Sequence, residues 1–293
     1  MRWRGVFGRL VLVTLWAVCL ALWAQQKSPP LVSYFGTTPI LDGVLSPGEW
    51  ADATQYTGAK DWYPAFHPVT DDQELSIKGY VKHDSEWIYF AADVTDNLLY
   101  GIETERYLPE SNPKAHELTR DGYPWLGDEM EILLNATNNP PQKAVEGNGF
   151  SWQMVCNLTK SRPGGVGVGG ILEGEPRAVL QAWETYQKWI QDGAQKCAAK
   201  QKPEGKGYVL EWAVRFNPCL EMAPGKFYSP SAGKAQMRIK LVLGDMDRKE
   251  DGVGNRFNFR HEQWYAPGGS STEPRAWGYL ELMGLEKKPA GSR

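Results

Sequence analysis

The residues best suited to chemistry lie in one stretch, Asp121-Gly122-Tyr123-Pro124-Trp125-Leu126-Gly127-Asp128-Glu129-Met130-Glu131-Ile132-Leu133-Leu134-Asn135. A polar loop there delivers Trp125 to the mouth of a predicted strand whose alternate positions Glu129, Glu131 and Asn135 are polar, so Trp125 and Glu131 can share one concave surface. An aromatic face beside carboxylate and amide groups suits a sugar ring. The apolar C–H face of a pyranose packs on the aromatic, and its hydroxyls need donors and acceptors. The same residues also allow a purely structural arrangement, with Trp125 packed beneath its loop and Glu131 turned to solvent.

Other constellations carry less. Gly165, Gly167 and Gly170 spell G-x-G-x-x-G, but they sit in a glycine-rich loop rather than between a buried strand and a helix, so no dinucleotide site is expected. Asp245, Asp247 and Asp251-Gly252 have the composition of a calcium loop; the glycine comes too late for an EF-hand, and an acidic hairpin turn is the expectation, with structural calcium left open elsewhere in the loops. His67, His83, His116 and His261 are widely spaced, and neither H-E-x-x-H nor G-x-S-x-G occurs. Two rival activities can be written down. Met130, Met154, His83 and His261 could be offered as ligands of a haem in an electron-transfer sandwich. Two of Asp128, Glu129 and Glu131 could serve as the acid and base of a glycoside hydrolase. Carboxylates close together on one short strand are poorly placed to flank a glycosidic bond from opposite sides, so no catalytic residue is assigned.

The elements that must position these groups are strands. Segments rich in β-branched and aromatic residues recur between turn clusters at Leu75 to Lys82, Glu86 to Val94, Glu129 to Asn135, Phe150 to Thr159, Tyr208 to Phe216, Gln236 to Leu243 and Trp277 to Met283. This spacing predicts an all-β fold, an antiparallel β-sandwich with long loops at Tyr100 to Trp125 and Ser161 to Glu175 and minor helix. Helix is expected only at Arg177 to Gln191, with a helical turn near Leu45 to Ala53. No linker or repeat divides the chain, so residues 25–293 are read as one domain with its core in 34–284.

Residues Met1 to Ala24 place Arg2, Arg4 and Arg9 before the apolar run Leu10 to Trp23, which ends in Ala24 ahead of Gln25, the layout of a signal peptide. A secreted or periplasmic protein is expected. The formal charge of -3 becomes more acidic once those arginines are removed, which argues against a nucleic-acid partner. Export also permits a disulfide. Alternation across Phe150 to Leu158 puts Cys156 on the same face as Trp152 and Met154, a core face, and by elimination Cys197 and Cys219 are the expected pair. With 13 Trp and 13 Tyr the chain is unusually aromatic, so some rings are expected to bind rather than pack.

Several motifs in order resemble the family 9 carbohydrate-binding modules. Pro39-Ile40-Leu41-Asp42-Gly43-Val44 with Glu49-Trp50 is similar to their opening, and His83 to Asp96 is similar to a "W-D-x-x-Y-L-Y-V" strand pair ending in "V-x-D". Trp125 to Asn135 resembles "W-x-x-D-S-V-E-I-F-I-D", Gly207 to Val214 resembles "G-Y-x-V-E-A-A-I", and Trp277 to Leu282 the closing "F-G-x-L-x-L". The resemblance covers residues 34 to 284. It implies a β-sandwich that clamps a sugar ring between two Trp side chains, is not an enzyme itself, and serves the breakdown of polysaccharides such as xylan or cellulose, often beside a glycoside hydrolase. Carried over by position, Trp125 is one wall of the clamp, Glu131 its polar partner, and Gln153 stands where the family often has Arg. The loop at Ala266 to Thr272 holds no Trp, so either Trp264 or Tyr265 serves as the second wall or the site is a single platform with a different sugar preference.

Overall fold

The computed structural model describes residues 29–58, 62–64, 68–69, 71–99, 128–137, 152–157, 188–189, 192–246, 260–265 and 273–292. The N-terminal segment 1–24, Trp125 and the expected long loops lie outside the described residues, as does nearly all of 177–191. Among the described residues no helix is long and apolar enough to cross a membrane.

Fourteen strands are described. They are β1 (Leu31–Ser33), β2 (Thr54–Gly58), β3 (Tyr63–Pro64), β4 (Leu75–His83), β5 (Trp87–Asp96), β6 (Glu129–Asn135), β7 (Trp152–Asn157), β8 (Gln195–Gln201), β9 (Tyr208–Arg215), β10 (Glu221–Ala223), β11 (Lys226–Phe227), β12 (Ala235–Met246), β13 (Arg260–Trp264) and β14 (Gly278–Leu282). All seven strands expected from the sequence form. The stretch near Leu45 to Ala53 is a run of turns, closed by Glu49 N–H to Ser46 O, Ala51 N–H to Gly48 O and Ala53 N–H to Trp50 O.

Two sheets face each other. One has five strands in the order β2-β4-β5-β9-β8, antiparallel throughout. The other has seven and is organised by β12, which pairs β6 along one edge and β14 then β13 along the other. β7 extends it beyond β6, β3 beyond β13, and β1 beyond β14. The β1–β14 pair is parallel, a departure from the expected antiparallel pattern, because the three residues of β1 enter at the edge of the sheet with no hairpin to reverse them.

Strand alternation builds the core. Met130, Ile132 and Leu134 of β6 and Met237, Ile239, Leu241 and Leu243 of β12 face Ile77, Val81, Ile88, Phe90, Leu210 and Trp212 of the opposite sheet, all buried. At roughly 25 cal/mol per Å² of apolar surface, such an interior is the dominant stabilising contribution to the fold. Both outer faces are partly covered as well. On the five-stranded sheet the segment 38–53 lays Trp50 and Ala53 against Tyr80, Tyr89 and Ala91. On the seven-stranded sheet Leu133, Val242 and Trp277 form a small cluster of their own.

Candidate functional site

Strand register gathers the predicted site positions on the outer face of the seven-stranded sheet. Val242 stands opposite Glu131 on one side and opposite Trp264 on the other. In the neighbouring row Leu133 stands between Gln153 and Lys240. The outer assignment follows from alternation, since Ile132 and Leu134 flank Leu133, Leu241 and Leu243 flank Val242, and all four belong to the inner core. Positions 131 and 264 are two strands apart, roughly 10 Å at the usual strand spacing. Three of the four predicted positions thus share one sheet face; the fourth, Trp125, lies outside the described residues.

The floor of this face is not the solvent-washed surface that the alternation of β6 suggested. Every residue of β6 is buried, Glu131 included at 5% exposure, and Lys240 is fully buried beside it. Asn135 has a structural task, with its Oδ1 accepting from the backbone N–H and the hydroxyl of Thr137 as β6 ends. Tyr265, the other candidate for a second wall, is engaged in the core. Its ring packs edge-on to Trp62 at 5.5 Å and tilted against Tyr56 at 6.0 Å, and its hydroxyl donates to Pro29 O at 3.2 Å. Position 264 is therefore the one that the fold leaves on the outer face.

Where β5, β6 and β12 come together, Asp96, Asp128 and Asp245 converge, all buried, with one carboxylate oxygen of each within 4.8 Å of the others. The fully buried Tyr208 closes over them, its hydroxyl 3.5 Å from Glu129 O; burial first, and then the neighbouring carboxylates, push its pKa far above the usual value. Three buried carboxylates so close repel one another when ionised, and a cation between them would relieve that repulsion. An all-oxygen donor set suits calcium and not zinc, so these residues could hold a hard divalent cation. This corrects the expectation for Asp245, which belongs to strand β12 rather than to an acidic turn; Asp247 and Asp251 lie outside the described residues. Each aspartate stood at a strand end in the sequence, and only the topology joins them.

The remaining motifs are fasteners. Glu211, fully buried on β9, accepts the backbone N–H groups of Asp42 and Gly43 at 2.9 and 2.8 Å and the indole N–H of Trp50 at 3.2 Å. Burial holds its carboxyl above the usual value despite these bonds. Glu49 closes the same loop by accepting from Ile40 N–H and Ser46 N–H. Asp84 caps the β4–β5 turn through Glu86 N–H and Trp87 N–H and accepts the hydroxyls of Thr38 and Tyr89. Burial would raise its pKa, but these four donors outweigh that and hold it below 3.8.

The expected Cys197–Cys219 bridge is a correction: the two sulfurs are not bonded to each other. Cys197 lies within β8 opposite Trp212, whereas Cys219 is buried just before the start of that strand, its thiol 3.6 Å from Ala194 O. Burial pushes the Cys219 thiol up to about 12, leaving almost no reactive thiolate. Two of the haem ligands written down above are also committed elsewhere. Met130 lies in the core, and both ring nitrogens of His83 are hydrogen-bonded to protein. Of the hydrolase carboxylates, Asp128 belongs to the aspartate cluster, and Glu129 and Glu131 stand two apart on one face of one strand rather than on opposite sides of a cleft.

No family model matches the chain, and no curated protein matches it in sequence. Solved structures do. A carbohydrate-binding module of family 9 from Caldicellulosiruptor kristjanssonii in complex with cellotriose superposes with a TM-score of 0.50 at 14% identity, over 90% of this chain and 97% of that one. A module of the same family and organism in complex with glucose gives a TM-score of 0.50 at 13% identity, over 89% of this chain and 100% of that one. At this level of identity the likeness speaks for the fold, and it agrees with the order of motifs read from the sequence: the chain folds as the family 9 carbohydrate-binding modules do.

Proposed function

We propose that this protein is an exported, non-catalytic sugar-binding protein whose site is the outer face of the seven-stranded sheet. The observation that carries the reading is the register of β7, β6, β12 and β13. It sets an acid, an amide and an aromatic position, Glu131, Gln153 and Trp264, in two adjacent rows of one face. Trp125 would close this face as an apolar platform for the ring, with Glu131 and Gln153 taking the hydroxyls. The neighbours solved with cellotriose and glucose support a β-linked glucose chain or its end as the first ligand to try. Removal of residues 1–24 on export and service to a secreted glycoside hydrolase complete the reading. The test is a glycan-binding screen of residues 25–293 followed by Trp-fluorescence titration of each hit. Saturable binding is expected. Failure to bind any glycan overturns the reading.

A further inference from the structure

His83 joins three parts of the chain. It ends β4, is fully buried, and bonds through both ring nitrogens. Gly284 O, 2.7 Å from Nε2, can only accept, so Nε2 carries the proton and Nδ1 accepts the Ser33 hydroxyl at 2.8 Å. Ser33 belongs to β1, and Gly284 follows β14. The backbone repeats the junction. His83 N–H donates to Tyr34 O, Gly36 N–H to His83 O, Phe35 N–H to Glu286 O and Met283 N–H to Ser33 O, at 2.7 to 3.0 Å. Around the ring stand Phe35, Phe216 and Tyr228, with centroids 6.0 to 6.2 Å away.

We propose that His83 is an acid-sensitive latch, and that its protonation releases the terminal segments 31–36 and 283–292 together, ahead of the rest of the sandwich. A second proton on the imidazole would make Nδ1 a donor, deprive the buried Ser33 hydroxyl of its acceptor on the ring, and place a charge where burial keeps it from water. Among the described residues β1 pairs with β14 alone, and Met283 N–H to Ser33 O and Phe35 N–H to Glu286 O tie segment 31–36 to segment 283–292, so the two lose their hold as one unit. Among the described residues the titratable groups that act on the ring are the Tyr228 phenol, packed edge-on to it, and the Asp84 carboxylate, through its charge. Asp84 favours the imidazolium, but it is already committed to four donors on the β4–β5 turn. Burial holds the imidazole below 6.5, with Asp84 and the Gly284 carbonyl opposing. The released form therefore takes the proton more readily than the closed one. The latch is at full strength above 6.5 and weakens as pH falls from there through the lowered value.

Hydrogen exchange read by mass spectrometry on the exported chain, corrected for intrinsic rates, tests this. Between about pH 7 and about pH 5, peptides spanning 31–36 and 283–292 should lose about tenfold more protection than peptides from β5 and β9. His83→Gln keeps a donor for Gly284 and cannot be protonated, so in that variant the ratio should not change with pH. Uniform loss across the molecule, or the same differential loss in His83→Gln, overturns the latch. If that variant does not fold, the His83 imidazole is followed by NMR in the natural chain. Its titration midpoint should coincide with that of segment release, and separate midpoints overturn the proposal. None of these readouts involves a sugar, so they stand apart from the binding reading.

Discussion

Glu211 shows what a single buried carboxylate does for this fold. It holds a loop of the N-terminal third onto a strand 161 to 169 residues later in the sequence, and all three of its donors are main-chain or indole N–H groups. Glu211→Gln replaces one acceptor oxygen with a donor facing those groups. We expect it to destabilise the protein by about 2 kcal/mol in urea unfolding, because buried donors lose their acceptor. Asp84 adds a pH dependence. Its folded pKa lies below its ordinary 3.8, so its contribution is fully present above that value and is lost as pH falls through the lowered one. Unfolding midpoints should therefore drop below about pH 4, and less steeply in Asp84→Asn. Both residues were visible in the sequence as motif letters, but their partners were not. Periodicity places a side chain on a face, and only the folded topology says what meets it there.

At the level of elements, the strands longest in sequence were the most legible. β4, β5, β6, β9 and β12 alternate or run apolar over enough residues to be read directly. β8 was not, since Gln195–Gln201 has no β-branched residue; it is a strand because the edge of β9 offers a full ladder of unpaired groups to complete. β1 and β3 are edge pieces of three and two residues, below what a pattern can resolve, and β13, between β12 and β3, is five residues of mostly polar sequence, Arg260-His261-Glu262-Gln263-Trp264. The turn into β9 carries the sharpest local demand. Gly207 has φ of +108°, and a Cβ there would lie 2.0 Å from Val94 O, so Gly207→Ala must shift backbone. A loss of at least about 2 kcal/mol in thermal or urea unfolding is the expected outcome, with the β5–β9 ladder most affected.

On the scale of the whole molecule, the two sheets bring together residues that no local window connects. Asp96, Asp128 and Asp245 come from three strand ends and meet in the interior, which is why Asp245 reads as a turn residue until the topology is known. If calcium neutralises this cluster, it stabilises the folded state by mass action, about 2.7 kcal/mol at a hundredfold excess over its dissociation constant. We expect the melting temperature to rise with calcium and fall with chelator, and Asp245→Asn to abolish the response. The site face is legible to a similar degree. Alternation in β6 marked Glu131, and the resemblance added Gln153, whereas their shared face, the burial of Glu131 and the engagement of Tyr265 with Tyr56 and Trp62 depend on register and packing between distant segments.

Sugar binding on the outer face of the seven-stranded sheet is the proposal on which the functional reading stands. It is tested by a Trp-fluorescence titration of residues 25–293 with cellotriose, repeated on Trp125→Ala and Glu131→Gln with unfolding curves alongside. Saturable binding by the natural protein is expected, with a loss of about 1 to 3 kcal/mol in Trp125→Ala and no loss of fold. Glu131→Gln should bind more weakly as well, because a hydrogen bond to a charged acceptor becomes a neutral one. Binding of equal strength in both folded variants would contradict the placement of the site, and the absence of binding to cellotriose and to every other glycan tried would contradict the function.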